Sequence, residues 1–135
     1  MAVQFSTTVR NARLDAIETA VGTSAVLKIR TGSAPANCGT ADSGTVLSSI
    51  TCPSDWLAAA SGGTKALAGT WQDLSADANG TAAHFRLYAS DGTTCHMQGT
   101  VTATGGGGDM TVNNTSFASG QQFDVTSFTL TEGNS

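Results

Sequence analysis

Charge is scarce in this 135-residue chain: Asp, Glu, Lys and Arg make up 12% of it, about half the share of an ordinary soluble domain. The six Lys and Arg are scattered, with no basic patch or stripe, and the net charge is −4. Nucleic acid is therefore not an expected partner, because phosphate neutralisation needs clustered cations. No run approaches the ~20 apolar residues of a membrane span. The opening MAVQFSTTVRNARLD contains no apolar core of a secretory signal, so synthesis in the cytoplasm is expected. Three cysteines, Cys38, Cys52 and Cys95, form no C-x-x-C motif and no even set, so free thiols are expected, with a Cys38–Cys52 bridge as the alternative.

What fills the chain instead is Thr, Ser, Ala and Gly, 71 of 135 residues. Disorder would need fewer apolar residues and more net charge than 39% hydrophobic and −4 provide. Thr-rich, charge-poor composition suits short strands and tight turns. It also suits a surface covered by neighbours, since charge is what keeps free monomers apart.

One segment reads as a helix. Ser6, Thr7 or Thr8 can cap its start, Gly22 stops it, and Leu14, Ile17 and Val21 form a narrow apolar stripe. Asn11, Arg13, Asp15 and Glu18 lie opposite as a polar face. Residues 1–22 are thus expected to be a helical segment attached to a β domain over 23–135. Strands are expected at Ala25–Thr31, burying Leu27 and Ile29, and at Thr45–Thr51, with a surface loop from Gly32 to Gly44 between them. Ser54–Ala60 can form one helical turn. Ala82–Ala89 and Cys95–Ala103 read as a hairpin around Asp91-Gly92. A two-residue loop there sets Leu87 opposite His96 and Phe85 opposite Gln98, with His84, Arg86 and Tyr88 on the other face from Phe85 and Leu87. Gly105–Gly108 reads as a flexible connector, and Met110–Val112 as a short strand. Phe123–Leu130 reads as a last strand whose phase slips between Val125 and Phe128, as a bulge would make it. The expected class is mainly β, a β-sandwich or jelly-roll-like domain with one N-terminal α-helix.

Chemistry is thinly marked. The tetraglycine lacks the Lys-Ser/Thr that a phosphate loop requires. His84, Cys95 and His96 would need to converge to hold zinc or activate a nucleophile, and the expected register points Cys95 and His96 to opposite faces. The acidic residues are dispersed, several of them in turns, with no pair singled out for glycoside hydrolysis and no calcium-loop pattern. Asn79 and Asn113 begin Asn-x-Thr triplets that matter only to a secreted chain. No catalytic residue, metal ligand or cofactor is expected. Trp56 and Trp71 bracket a run of small residues and read either as core or as an interface anchor beside an adaptable arm.

Several segments carry a resemblance: Val9–Glu18, Leu27–Pro35, Pro53–Trp56, Ala66–Trp71, His84–Tyr88 and Thr126–Leu130. Together they resemble a family of small structural proteins of tailed phages and prophages, usually encoded near head and tail genes. The resemblance implies a virion role without enzymatic activity, most simply a capsid decoration or cement protein bound to copies of itself and to the major capsid protein. A tail or neck component is the alternative, and a carbohydrate-binding β-sandwich module, with Trp56 or Trp71 exposed on a rim, a further one. The expected contact residues are Val9, Leu14 and Ile17 on the helix, and Trp56, Leu57, Leu67 and Trp71 around the arm. On that expectation, removing residues 1–21 leaves a folded β domain that no longer assembles.

Overall fold

The computed structural model describes residues 3–132. Helix α1 (Thr7–Val21) precedes the strands β1 (Val26–Arg30), β2 (Val46–Thr51), β3 (Thr64–Ala66), β4 (Gln72–Asp73), β5 (Gly80–Thr81), β6 (His84–Tyr88), β7 (Cys95–Ala103), β8 (Met110–Val112), β9 (Ser116–Phe117) and β10 (Phe123–Thr131). The fold is mainly β with one N-terminal helix. Its sandwich-like character comes from a mixed sheet ordered β2-β1-β6-β7-β8-β10-β3, with β4 beside β10, that curls into half a barrel. β5 and β9 form a small separate pair.

The curl encloses an aromatic core. Trp56 and Trp71 lie 6.0 Å apart between ring centroids, Trp71 and Phe128 5.6 Å, and Phe85 meets Phe128 edge-on at 5.5 Å. Leu27, Ile29, Leu47, Leu87, Met110 and Val112 fill the space around them. Burying these side chains away from water is the main favourable contribution to folding.

α1 belongs to this core. Ser6 caps it by accepting from the Val9 amide at 3.3 Å, and Gly22, with φ 91°, ends it by donating to the Glu18 carbonyl. Leu14 and Val21 are buried, and Ile17 packs against the core. The Trp56 indole N–H then donates to the Gly22 carbonyl at 2.9 Å, tying the helix end to the core ring.

Four local expectations are corrected. Ser54–Ala60 forms no helical turn; Leu57 bridges Leu67 instead, with Trp56 buried beside it. The run between the tryptophans is no free arm, because Ser61–Thr64 folds back and β3 pairs with β10, setting Lys65 opposite Leu130. In the β6–β7 hairpin, Leu87 faces Met97 and Phe85 faces Gly99, with a register shift between Leu87 and Tyr88. The physical reason is Asp91, whose Oδ1 accepts from the Thr93 and Thr94 amides at 2.9 Å each, widening the turn so that Ala89 bonds to Thr94.

The tetraglycine is likewise no loose connector. β7 and β8 run parallel, Val101 beside Met110, although only residues 104–109 join them. Parallel neighbours ordinarily need a crossover of a dozen or more residues. The loop doubles back so tightly that a Cβ on Gly106 would lie 2.7 Å from the Thr102 side chain, and one on Gly108 2.8 Å from it. Only glycine fits there. The slip foreseen in the last strand is present, as a register shift between Val125 and Ser127.

Candidate functional site

The five residues of β6 are all buried, although only Phe85 and Leu87 face the core. His84, Arg86 and Tyr88 point to the other side of the sheet, where the 33–44 loop folds over them. Arg86 holds that loop. Its guanidinium donates to the carbonyls of Asn37 (3.2 Å), Cys38 (3.0 Å) and Thr40 (3.1 Å), and to the Asp42 carboxylate. Arg30 donates to the other Asp42 oxygen at 3.0 Å, and the Tyr88 hydroxyl donates to Oδ1 at 2.7 Å. From β7, Gln98 donates to the Pro35 carbonyl at 2.6 Å.

Cross-strand register explains why this carboxylate is needed. Lys28 lies opposite Arg86, and Arg30 opposite His84. Like charges placed opposite one another destabilise a sheet. Asp42 pairs with both arginines and offsets one of their two charges, and Lys28 turns away to lie 4.9 Å from the centre of the Tyr88 ring and to donate to the Gly92 carbonyl at 3.1 Å. Burial pushes the Asp42 carboxyl up, but the hydrogen bonds from Tyr88 and Arg86 and the nearby arginine charges outweigh it, so its pKa falls below the usual range. Burial, reinforced by Asp42, raises the Tyr88 hydroxyl.

A second ionic cluster joins α1 to β3. Lys65, 2% exposed in its side chain, meets Asp15 at 2.7 Å and Glu18 at 2.9 Å. Asp15 also accepts from the Ala60 amide at 3.1 Å, and Asn11 from the Gly63 amide at 2.9 Å. Asn11, Asp15 and Glu18, expected on a free polar face, therefore bind the 60–65 turn. Arg10 donates to the Glu132 carbonyl at 3.2 Å, and Arg13 pairs with the Glu132 side chain at 2.9 Å. Each of the six cationic side chains is thus engaged within the fold.

The candidate chemical residues do not converge. His84 Nδ1 lies 2.6 Å from the Gly32 carbonyl, which can only accept, so that nitrogen carries the proton. Cys95 lies opposite Tyr88, and its thiol lies 3.5 Å from the Met97 carbonyl. Among the described residues, no group of three His, Cys, Asp or Glu could hold a metal ion. The Cys38–Cys52 alternative does not match the geometry: Cys52 is in the core, whereas Cys38 lies on the loop over the outer face. Next to the start of β8, an open groove of about 500 Å³ is lined by Phe85, Met97, Phe128, Leu130 and Asp109.

The expected contact residues divide by burial. Leu14, Trp56, Leu57 and Trp71 are buried in the chain's own core, and Ile17 and Leu67 pack against it, so these six give a neighbour little or nothing to hold. Neither tryptophan can form an exposed sugar-stacking platform, the feature the carbohydrate-binding alternative requires. Val9 does lie at the surface, 41% exposed, with Phe5 at 40% and Val3 at 76%. Arg86 and Asp42 were missed as a pair. The signal that could have found them is two adjacent strands carrying Lys28, Arg30, His84 and Arg86 on one face.

Comparison of the chain with protein-family models, with curated proteins and with solved structures gives no match.

Proposed function

We propose that this chain is a non-enzymatic structural subunit of a tailed-phage virion, and that it decorates and stabilises the capsid shell. Its partners on this reading are copies of itself and the major capsid protein. The observation that carries the reading is the placement of Val3, Phe5 and Val9, apolar side chains exposed along one short N-terminal stretch. Scattered exposed apolar residues are ordinary. A local group of them on a helix start, where the rest of the helix is locked to the domain, suits a contact that a neighbour completes. The low overall charge, 12% of the chain, also supports the reading, since little charge is present to keep neighbours apart. The sequence resemblance supplies the phage particle as the assembly.

The test is the location of this chain in purified particles by cryo-electron microscopy. Density for it on the outer shell, with residues 3–9 against the capsid protein, is the expected result. Density in the tail or neck moves the subunit to that alternative, and its absence from particles overturns the virion reading. A Val9→Asp variant should keep its thermal midpoint within a few degrees, because Val9 is exposed, yet fail to incorporate.

A further inference from the structure

β8 stands between β7 and β10 in the sheet, and it is shorter than either neighbour. It pairs with residues 101–103 of β7, and its pairing with β10 reaches no further than Phe128. Among the described residues, no strand therefore lies between residues 95–100 of β7 and residues 129–131 of β10. Neighbouring strands sit about 4.8 Å apart, so the gap begins with room for one strand. Phe85, Met97, Phe128 and Leu130 line the groove there. Backbone groups face the gap from both sides. The Val101 amide donates to Ala83 on the β6 side, so by alternation Thr100 and Gln98 turn theirs to the gap. Phe128 accepts from Leu67 and Glu132 donates to Gly63, both on the β3 side, which leaves Thr129 and Thr131 facing the gap from β10.

Open edges of this kind recruit a strand from another chain, and proteins blunt them with Lys, Pro, bulges or inward-pointing charges. Neither β7 nor β10 contains a Lys or a Pro. A net charge of −4 spread over the chain keeps copies apart only weakly, so the edge has to be closed locally. We propose that Asp109 is the guard of this edge: its side chain stands where a strand would pair, and it keeps a second copy of the chain from adding one.

Asp109 Oδ2 accepts from the Thr100 amide at 2.9 Å and from the Thr100 hydroxyl at 3.0 Å, while the Asp109 amide donates to Thr100 Oγ1 at 3.1 Å. The amide nearest β8, which an incoming strand would need first, is thus taken by a carboxylate that also repels that strand's carbonyls. Gly99 makes the room, since a Cβ there would lie 2.8 Å from Asp109 Oδ2. Asp109 remains exposed to water, so its charge is kept there without the cost of burial. At the far end of the gap β7 skips His96 in its pairing with β6, and this bulge breaks the regular edge. Between the bulge and the guard, Gln98 is the residue whose backbone is left open to a partner.

The experiment compares Asp109→Ala with the wild-type chain by light scattering from micromolar to millimolar concentration, the range in which unpaired edges associate. The weight-average mass of the variant should at least double over that of the wild type, with the near-ultraviolet circular dichroism of the tryptophan pair retained. In the associated form the Gln98 amide should exchange with solvent several-fold more slowly than in the wild type. Thr129→Pro removes a donor that faces the gap and none that faces β3, so the double variant Asp109→Ala/Thr129→Pro should return to the wild-type mass. Asp109→Ala at the wild-type mass, equal association in the double variant, or unchanged exchange at Gln98 on association would overturn the proposal. Loss of the near-ultraviolet signal in Asp109→Ala would overturn it as well, because Asp109 would then serve the fold and not the edge.

Discussion

The hydroxyl of Tyr88 on β6 donates at 2.7 Å to the carboxylate of Asp42, forty-six positions earlier on the loop above it. That bond joins the sheet to its cover. It also gives Asp42 a donor beside Arg30 and Arg86, so one carboxylate bridges two cations that the sheet cannot release.

Removing either end of this bond should have unequal effects. Tyr88→Phe loses one hydrogen bond in a closely packed place and should cost about 1 kcal/mol. Asp42→Ala leaves Arg30 and Arg86 buried without their anion. It should cost about 2–3 kcal/mol, somewhat less than a fully buried pair, because Asp42 is itself 42% exposed. Denaturant unfolding of both singles and the double checks this. The double should be little worse than Asp42→Ala alone, since the Tyr88 hydroxyl then has no carboxylate to lose.

Deleting residues 1–21 should abolish cooperative folding, the reverse of what a detachable contact helix implies. The truncation uncovers the core that Leu14 and Val21 seal and strips Lys65 of both carboxylates. It also leaves Gly22, whose carbonyl accepts from Trp56, as the new chain start with no helix to hold it. Loss of the near-ultraviolet circular dichroism from the tryptophan pair is the expected result. A truncated chain that keeps this signal and a sharp thermal transition would show that the helix is dispensable to the fold.

Local pattern made the helix, β1, β2, β8, β10 and its bulge legible, because their apolar residues cluster or recur at the spacing of the element itself. It also assigned Phe85 and Leu87 to the core face and His84, Arg86 and Tyr88 to the other. It could not show that the other face is covered, since the cover is a loop whose only anchors are Asp42 and backbone carbonyls. Asn11, Asp15 and Glu18 failed for a related reason. Their partners are the Gly63 and Ala60 amides and a single Lys65, so a polar helix face looked solvated when it was docked. The hairpin register failed on one side chain, Asp91, which caps two amides and lengthens the turn.

Stability should fall at both ends of the pH range. Asp42 and Asp15 titrate below the ordinary 3.8, Asp42 through Tyr88 and Arg86 against its burial and Asp15 through Lys65. Their contribution is present above that value and is lost as pH falls through the folded pKa values. Burial would lower Lys65, but Asp15 and Glu18 raise it above 10.5, while burial and Asp42 raise Tyr88 above 10.0. The folded state thus holds both protons more tightly, and that stability is lost as pH rises past about 10. Urea midpoints should be nearly flat from about pH 5 to 9 and drop on either side. Tyr88→Phe and Lys65→Met should each flatten the alkaline limb; a limb unchanged in the double variant would contradict this assignment.

The return loop between β7 and β8 should resist any side chain at Gly106. A Cβ there meets Thr102 Cβ and Oγ1, both at 2.7 Å, and the Ala103 carbonyl at 3.0 Å, so the obstruction is a branched side chain near its root together with backbone. Gly106→Ala should cost about 1–3 kcal/mol. At Gly108 the contacts are Thr102 Cγ2 at 2.8 Å and Oγ1 at 2.9 Å, with the Thr102 amide farther at 3.1 Å. Thr102→Ala should therefore recover part of the loss from Gly108→Ala and less of the loss from Gly106→Ala. Thr102 Oγ1 also accepts from the Gly108 amide at 3.0 Å, so Thr102→Ala alone carries its own small cost. Thermal midpoints of the three singles and two doubles decide the point. Equal recovery at both glycines would mean that the loop relaxes as a unit and that no parallel pairing depends on its tightness.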